Sequence, residues 1–193
     1  MLNFWNITGV PFLYCFQSFY IVKNQAAISM QVAKLGGPYY YGFVFVLLAF
    51  GYYIFDSANC QKASIKITDI DRALFPHMPW GILKSPQFIK TPHGNLLCDG
   101  WYRYARKMQY TGDIMMASSW GLACAFISPL PYFYVLFFTC MITHRQWRDE
   151  IRCKEKYGKY WDEYTSIVPN VFVPDAAFFR WVFTGVEKKV KTK

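Results

Sequence analysis

The sequence predicts an all-α membrane protein: a polytopic helical bundle with a short Pro-cornered helical hairpin and amphipathic helices on its cytosolic side. Three observations predict it. The 193 residues are 54% hydrophobic and 21% aromatic, richer in both than a water-soluble domain of that size needs. Met1 to Val22, Leu35 to Phe55 and Ile114 to Thr143 carry no charged side chain, and about 20 mostly apolar residues cross a bilayer as a helix. The cations lie between and after these stretches: of 21 Lys and Arg, eight fall between Ser57 and Asp113 and eleven follow His144.

The first stretch is interrupted by Asn3, Asn6, Thr8, Gln17 and Ser18, and Pro11 is placed to kink it. It lacks the basic start and small-residue cleavage site of a secretory signal. The second, GPYYYGFVFVLLAFGYYIF, is the strongest membrane helix, its polar atoms being almost all tyrosine hydroxyls. The third is broken by Ser128-Pro129-Leu130-Pro131 into two arms, each near 20 Å long as helix at about 1.5 Å per residue. Neither arm matches a hydrocarbon core of about 30 Å. The positive-inside rule asks for both basic regions on the cytosolic side, so a hairpin that returns the chain to the side it left is preferred to one kinked crossing. Asn6-Ile7-Thr8 matches the glycosylation triplet, but the edge of a membrane helix is a poor acceptor site.

The six cysteines show no CxxC spacing and read as reduced thiols, with no metal site among them. A formal charge of +9 beside long uncharged segments favours anionic headgroups or a phosphorylated cofactor over nucleic acid. The densest polar run is HRQWRDEIRCKEKYG, His144 to Gly158. As a helix it stacks Arg145, Asp149, Cys153 and Tyr157 on one face, with Gly158 placed to end it. A cation, a carboxylate and a phenol so aligned suit an anionic cofactor and a proton relay; a juxtamembrane basic helix with an Arg–Asp pair is the alternative. Trp161 and Tyr164 share a face one turn further on. The span from His93 to Asp113 interleaves aromatics with cations and amides, as stacking on a nucleotide or an interfacial amphipathic helix would. Asp113 precedes an uncharged run and reads as a helix N-cap or as a group facing a polar cavity. Lys62 and Lys66 stand one turn apart, explained by a shared phosphate or by an anionic lipid surface.

HRQWRDEIRCKEKYG resembles the C-terminal signature HRxxRDxxxCxxKYG of the sterol double-bond reductases, the family of delta-14, delta-7 and delta-24(28) reductases and the reductase-like half of lamin B receptor. FWNITGVPFLYC, FDSANCQK, DGWYRYARKMQYTGD and VPNVFVP are similar to the same family, and their wording is most like the fungal delta-24(28) reductases of ergosterol synthesis. The family's longer chains carry further membrane helices and an L-N-P-R motif upstream, so residues 1–193 read as one C-terminal membrane-embedded reductase domain.

The resemblance implies NADPH as cofactor, with phosphate contacts from Lys62 and Lys66, the latter standing where the family usually has Arg. It implies further cofactor contacts from Leu97, Tyr102, Gln109 and Tyr110, then from Arg145, Asp149, Cys153, Lys154, Glu155, Lys156, Tyr157 and Tyr164. Tyr102 and Gln109 replace the family's frequent Trp and Asn. The implied reaction is protonation of one alkene carbon followed by hydride transfer to the other. An Asp149–Arg145–Tyr network forms the acid end, with Tyr157 or Tyr164 as phenol donors and Asp113 in reserve. A sterol is the implied substrate, and a multi-pass position in the endoplasmic reticulum membrane the implied location; the ending KVKTK looks like a lysine-based retrieval signal. Two other readings stay open: an S-adenosylmethionine-dependent membrane methyltransferase of the isoprenylcysteine type, and an inactive, truncated sterol-binding protein.

Overall fold

In a computed structural model of the chain, residues 10–64, 83 and 86–172 are described. Among them are six α-helices: α1 (Val10–Lys23), α2 (Gln25–Lys34), α3 (Pro38–Ser64), α4 (Met108–Ala123), α5 (Phe133–Tyr157) and α6 (Lys159–Ile167). The mainly helical character expected from the uncharged stretches holds. Among the described residues the exception to an all-α chain is one antiparallel hairpin, β1 (Phe88–Ile89) against β2 (Leu96–Leu97), in register Phe88 to Leu97 and Ile89 to Leu96. The described residues group into two compact units: residues 1–52 with 113–143, and residues 53–112 with 144–193.

In the first unit, α1 ends at Asn24, whose backbone and side-chain N–H groups both donate to the Tyr20 carbonyl at 3.0 Å. The side-chain amide shares that acceptor with the helical bond at the point where α1 gives way to α2, a helix not anticipated from the sequence. Gly36 and Gly37, at φ +105° and +60°, close α2; the Gly37 N–H reaches the Val32 carbonyl at 2.8 Å, and Pro38 opens α3. Pro11 sits in the first described turn of α1, so the kink expected of it lies at the edge of the described residues. Asn3, Asn6 and Thr8, with the glycosylation triplet, lie outside them.

α3 runs for 27 residues, about 40 Å at 1.5 Å per residue, longer than a hydrocarbon core of about 30 Å. It is the one helix among the described residues long and apolar enough to cross a membrane. It is not a buried core helix: Tyr39, Phe43, Phe45 and Val46 are exposed, Tyr39 to 87%. Apolar side chains outward over such a length fit a lipid solvent.

The Pro-rich corner turns the chain as expected. α4 stops at Ala123, Ala125 takes φ +53°, and Leu130–Tyr132 forms one turn of 3-10 helix before α5. Polar side chains satisfy the carbonyls left at this corner: Tyr40 Oη donates to Leu122 O at 2.8 Å, Tyr132 Oη to Ala125 O at 3.1 Å, and buried Gln17 Nε2 to Pro131 O at 3.1 Å. Gln17, an interruption in sequence, is thus the residue that ties α1 to the corner. Beside it Trp120 stacks on Tyr134 with ring centroids 5.6 Å apart. A side chain at Gly121 would crowd Tyr132 and Val135 at 3.0 and 3.1 Å, so glycine is what lets the start of α5 approach α4. Asp113 stands inside α4, five residues after its first, and therefore does not cap it.

The second unit collects the last turns of α3, the hairpin, the Gly100–Arg103 3-10 turn, the first turn of α4, the polar part of α5, and α6. The segment before Met108 is hairpin and turn, so an amphipathic helix over His93 to Asp113 does not form. Gly158, at φ +52°, ends α5 as its position predicts, its N–H donating to Lys154 O at 2.9 Å, and the chain re-enters helix as α6. That turn brings Trp161, Tyr164 and Val168 into a buried cluster with Ile89, Leu96 and Cys153 packed against it.

Candidate functional site

Three of the polar segments singled out in sequence meet in the second unit. FDSANCQK lies on the last turns of α3, and the DGWYRYARK segment docks on it through Trp101. The indole Nε1 of Trp101 donates to Ser57 Oγ at 2.7 Å, and its backbone N–H to Gln61 Oε1 at 2.8 Å. Asp99 accepts from the Gly100 N–H at 2.7 Å and caps the turn. Gly100 has φ +62° and lies so close against Gln61 that a side chain there would collide with the carboxamide. Glycine at that point is a condition of the docking.

The same segment then clamps HRQWRDEIRCKEKYG by two adjacent ion pairs. Arg106 Nη2 meets Glu150 Oε1 at 3.0 Å, and Lys107 Nζ meets Asp149 Oδ2 at 3.0 Å. The Arg106 guanidinium, its side chain 7% exposed, also donates to Val168 O at 2.6 Å and Pro169 O at 2.9 Å. Glu150 accepts in addition from Trp161 Nε1 at 3.2 Å and Gln146 Nε2 at 3.1 Å. Backbone bonds from Arg106 N to Asn170 O and Lys107 N to Val171 O, both 3.0 Å, strap the VPNVFVP segment alongside. Arg106, Lys107, Glu150 and Trp161 were not among the site residues expected from sequence, since ion pairing over more than 40 positions leaves no local periodicity to read.

The inward face of α5 contains Asp149, Cys153 and Tyr157, as i, i+4 spacing predicts, while Arg145 is exposed. The expected Arg145–Asp149 pairing is corrected by the geometry: Lys107 is the direct partner, and Arg145, one turn back, adds only its field. Burial works against the Asp149 charge, but Lys107, helped by Arg145 and Arg152, outweighs it and holds the carboxyl below its usual range. Burial raises the Cys153 thiol, opposed by the charges of Lys107 and Lys62, which places the end of α3 within electrostatic reach of this face. Burial likewise pushes Cys98 up to about 11, so both thiols are protonated and poorly nucleophilic at neutral pH.

Behind them lie the phenols. Tyr164 is buried among Trp161, Val168, Cys98 and Cys153, and its hydroxyl forms no hydrogen bond with a described residue. Tyr102 is buried and donates to Gln109 Oε1 at 3.2 Å, linking two of the expected cofactor contacts, with Tyr110 close enough to act on it. Burial raises both Tyr164 and Tyr102 far above the ordinary phenol value; Cys98 and Tyr102 add to the rise at Tyr164, and Arg106 opposes it. Each therefore carries its proton at neutral pH. Leu97 is buried on β2. Tyr157 stacks on Trp161 at 6.2 Å, takes His93 edge-on at 6.4 Å, and carries Lys156 Nζ over its ring at 5.0 Å. Lys154, Glu155 and Lys156 are exposed. Asp113 belongs to the other compact unit, and Lys66 lies outside the described residues. All six cysteines are free thiols, and no cluster of metal-ligating side chains occurs among the described residues.

The comparisons with known proteins agree with this gathering of motifs. The chain is 40% identical over 178 residues to a Delta(24(24(1)))-sterol reductase of Gibberella zeae, the match covering 90% of this chain and 29% of that protein. It is 40% identical over 179 residues to the corresponding reductase of Aspergillus fumigatus, covering 90% and 37%, and 42% identical over 174 residues to a Delta(14)-sterol reductase of Gallus gallus, covering 90% and 25%. The chain thus spans between a quarter and two-fifths of the length of these relatives. The model of the ergosterol biosynthesis ERG4/ERG24 family matches residues 1–177. With the family's signature intact on α5 and the DGWYRYARK segment docked against it, the chain belongs to the ERG4/ERG24 family of sterol reductases.

Proposed function

We propose that the chain forms the cofactor-binding and reacting part of an NADPH-dependent sterol reductase that saturates a side-chain double bond, the delta-24(28) bond, in the last step of ergosterol formation. The carrying observation is the convergence of Lys62, Lys107, Asp149, Cys153 and Tyr164 in one compact unit, cations at its edge and buried phenols behind. Two fungal relatives named for the Delta(24(24(1))) reaction support the subtype, although the identity to a Delta(14) enzyme is as high, so the choice of double bond rests on the motif wording.

The residues fit a dinucleotide. Lys62 and Arg145 can neutralise phosphate, and Leu97, Tyr102 and Tyr110 supply buried, water-poor surroundings. NADPH, when bound, supplies the hydride. The side chains do the rest. An isolated alkene accepts hydride only after one carbon has been protonated, so the site must hold an acid against the sterol. Tyr164 is the candidate by position: its hydroxyl is uncommitted among the described residues, and its ring packs against Cys153 on the α5 face. The phenolate left after transfer recovers a proton from solvent, and Arg106 nearby eases its charge. The family match leaves the methyltransferase alternative without support.

α3 is read as a membrane crossing and the α4–α5 corner as a re-entrant hairpin, placing both basic regions on the cytosolic side of a multi-pass protein in the endoplasmic reticulum membrane. The test is expression in cells lacking their own delta-24(28) reductase, with microsomal sterols followed by mass spectrometry. NADPH-dependent loss of the side-chain double bond is the expected result. Protection of the purified chain by S-adenosylmethionine and not by NADPH would overturn the reading.

A further inference from the structure

The sequence likeness gives Lys107 no role, yet its ammonium is the group nearest the carboxylate on which the α5 face is centred. We propose that Lys107 is the positioning residue of Asp149: it fixes the carboxylate in one orientation as an anion, so that Asp149 serves the dinucleotide as a hydrogen-bond acceptor and leaves the acid role to a phenol. The inference rests on the cofactor reading above.

Four observations carry it. The Lys107 Nζ to Asp149 Oδ2 contact is 3.0 Å, with the two side chains 13% and 30% exposed, so the pair is partly shielded from water. The Lys107 backbone is held in place, because its N–H is bonded to Val171 O at 3.0 Å and Arg106 beside it is locked to Glu150, Val168 and Pro169. Asp149 and Glu150 are successive residues of one helix, as Arg106 and Lys107 are successive residues of one strap. The two pairs therefore set one register, and the buried Arg106–Glu150 pair forces Lys107 opposite Asp149. Finally, among the described residues the other charges that act on Asp149 lie on its own helix: Arg145 and Arg152 support the anion, while Glu150 beside it is occupied by Arg106, Gln146 and Trp161. From the last turns of α3, Lys62 acts on the neighbouring Cys153. A carboxylate so held accepts hydrogen bonds and has no proton to give at neutral pH.

The experiment uses the full chain in detergent micelles, comparing wild type with Lys107→Met, Lys107→Arg and Arg145→Gln. Thermal midpoints are followed from pH 7 downward without cofactor, and NADPH affinity is measured by quenching of tryptophan fluorescence over the same range. Lys107→Met should lower the thermal midpoint at pH 7 and flatten its fall on acidification, while moving the acid limb of NADPH binding to higher pH and weakening NADPH at pH 7; Lys107→Arg should restore most of the wild-type behaviour, and Arg145→Gln should change both curves less than Lys107→Met. Should Lys107→Met not fold, Lys107→Gln, which keeps a donor and loses the charge, carries the same expectation. Unchanged limbs and unchanged affinity in the neutral variant overturn the proposal, as does a larger shift with Arg145→Gln. If wild type itself does not bind NADPH at any pH, the cofactor reading falls, and with it the service of Asp149 to a dinucleotide. The thermal curves then still decide whether Lys107 holds the carboxylate.

Discussion

Tyr164 and Glu150 separate chemistry from architecture at the scale of single residues. Tyr164 has a buried ring and an uncommitted hydroxyl, so Tyr164→Phe removes one oxygen and little packing. It should lose turnover by roughly 10²- to 10⁴-fold, the span of a lost general acid, and far more than it loses in NADPH affinity; steady-state rates beside binding constants check this. Glu150 is the opposite case. Glu150→Gln leaves Arg106, its side chain 7% exposed, without its anion, and should lower the unfolding free energy by about 3 kcal/mol in a denaturant titration. Asp149 adds a pH dependence with a definite sign. Its folded value lies below the unfolded one, so its contribution is present above the unfolded carboxylate value near pH ~4 and is lost as pH falls through the folded value. The thermal midpoint of Asp149→Asn should accordingly fall less on acidification than that of wild type.

At the scale of elements, the joints decide more than the helices. The docking of Trp101 on α3 depends on Gly100, where positive φ and contact with Gln61 coincide. Gly100→Ala should cost about 1 to 3 kcal/mol through backbone strain and displacement of the Gln61 carboxamide. Gly158→Ala, with nothing near its would-be side chain, pays only for its positive φ. Side-by-side thermal midpoints should therefore rank Gly100→Ala as the worse of the two. Local sequence makes the turn at Gly158 legible, since that glycine follows a long helical pattern, whereas the turn at Asp99-Gly100 is hidden in a span that reads as an amphipathic helix. What lies against each turn was not legible, because Gln61 is some 40 positions from Gly100 and side-chain approach leaves no trace in spacing. Asp113 illustrates the same limit. It has the look of an N-cap before an apolar run, but α4 starts five residues earlier, where Met108 and Gln109 are already buried.

For the molecule as a whole, the membrane reading makes a sidedness prediction. With the hairpin returning the chain, protease added to intact microsomes should cleave both around Lys90 and beyond Lys159, whereas a single crossing through the α4–α5 region would protect one of the two. The exposed aromatic and aliphatic side chains of α3 make the protein dependent on lipid or detergent for solubility, a direct result of placing Phe43, Phe45 and Val46 outward.

The sequence by itself determined the mainly helical character, the apolar α3, the Pro-cornered turn, the aligned face of α5 and the family, because each is written in local periodicity, in runs without charge or in motif spacing. Tertiary structure alone decided that Asp149 answers to Lys107 and not to Arg145, that Arg106 and Glu150 lock the strap to α5, that Gln17 bonds a corner carbonyl, and that a small hairpin interrupts an otherwise helical chain. Those outcomes depend on which distant side chains arrive within about 3 Å of one another, where a charge or hydrogen bond acts strongly. Such distances are a property of the packed chain and of no segment within it.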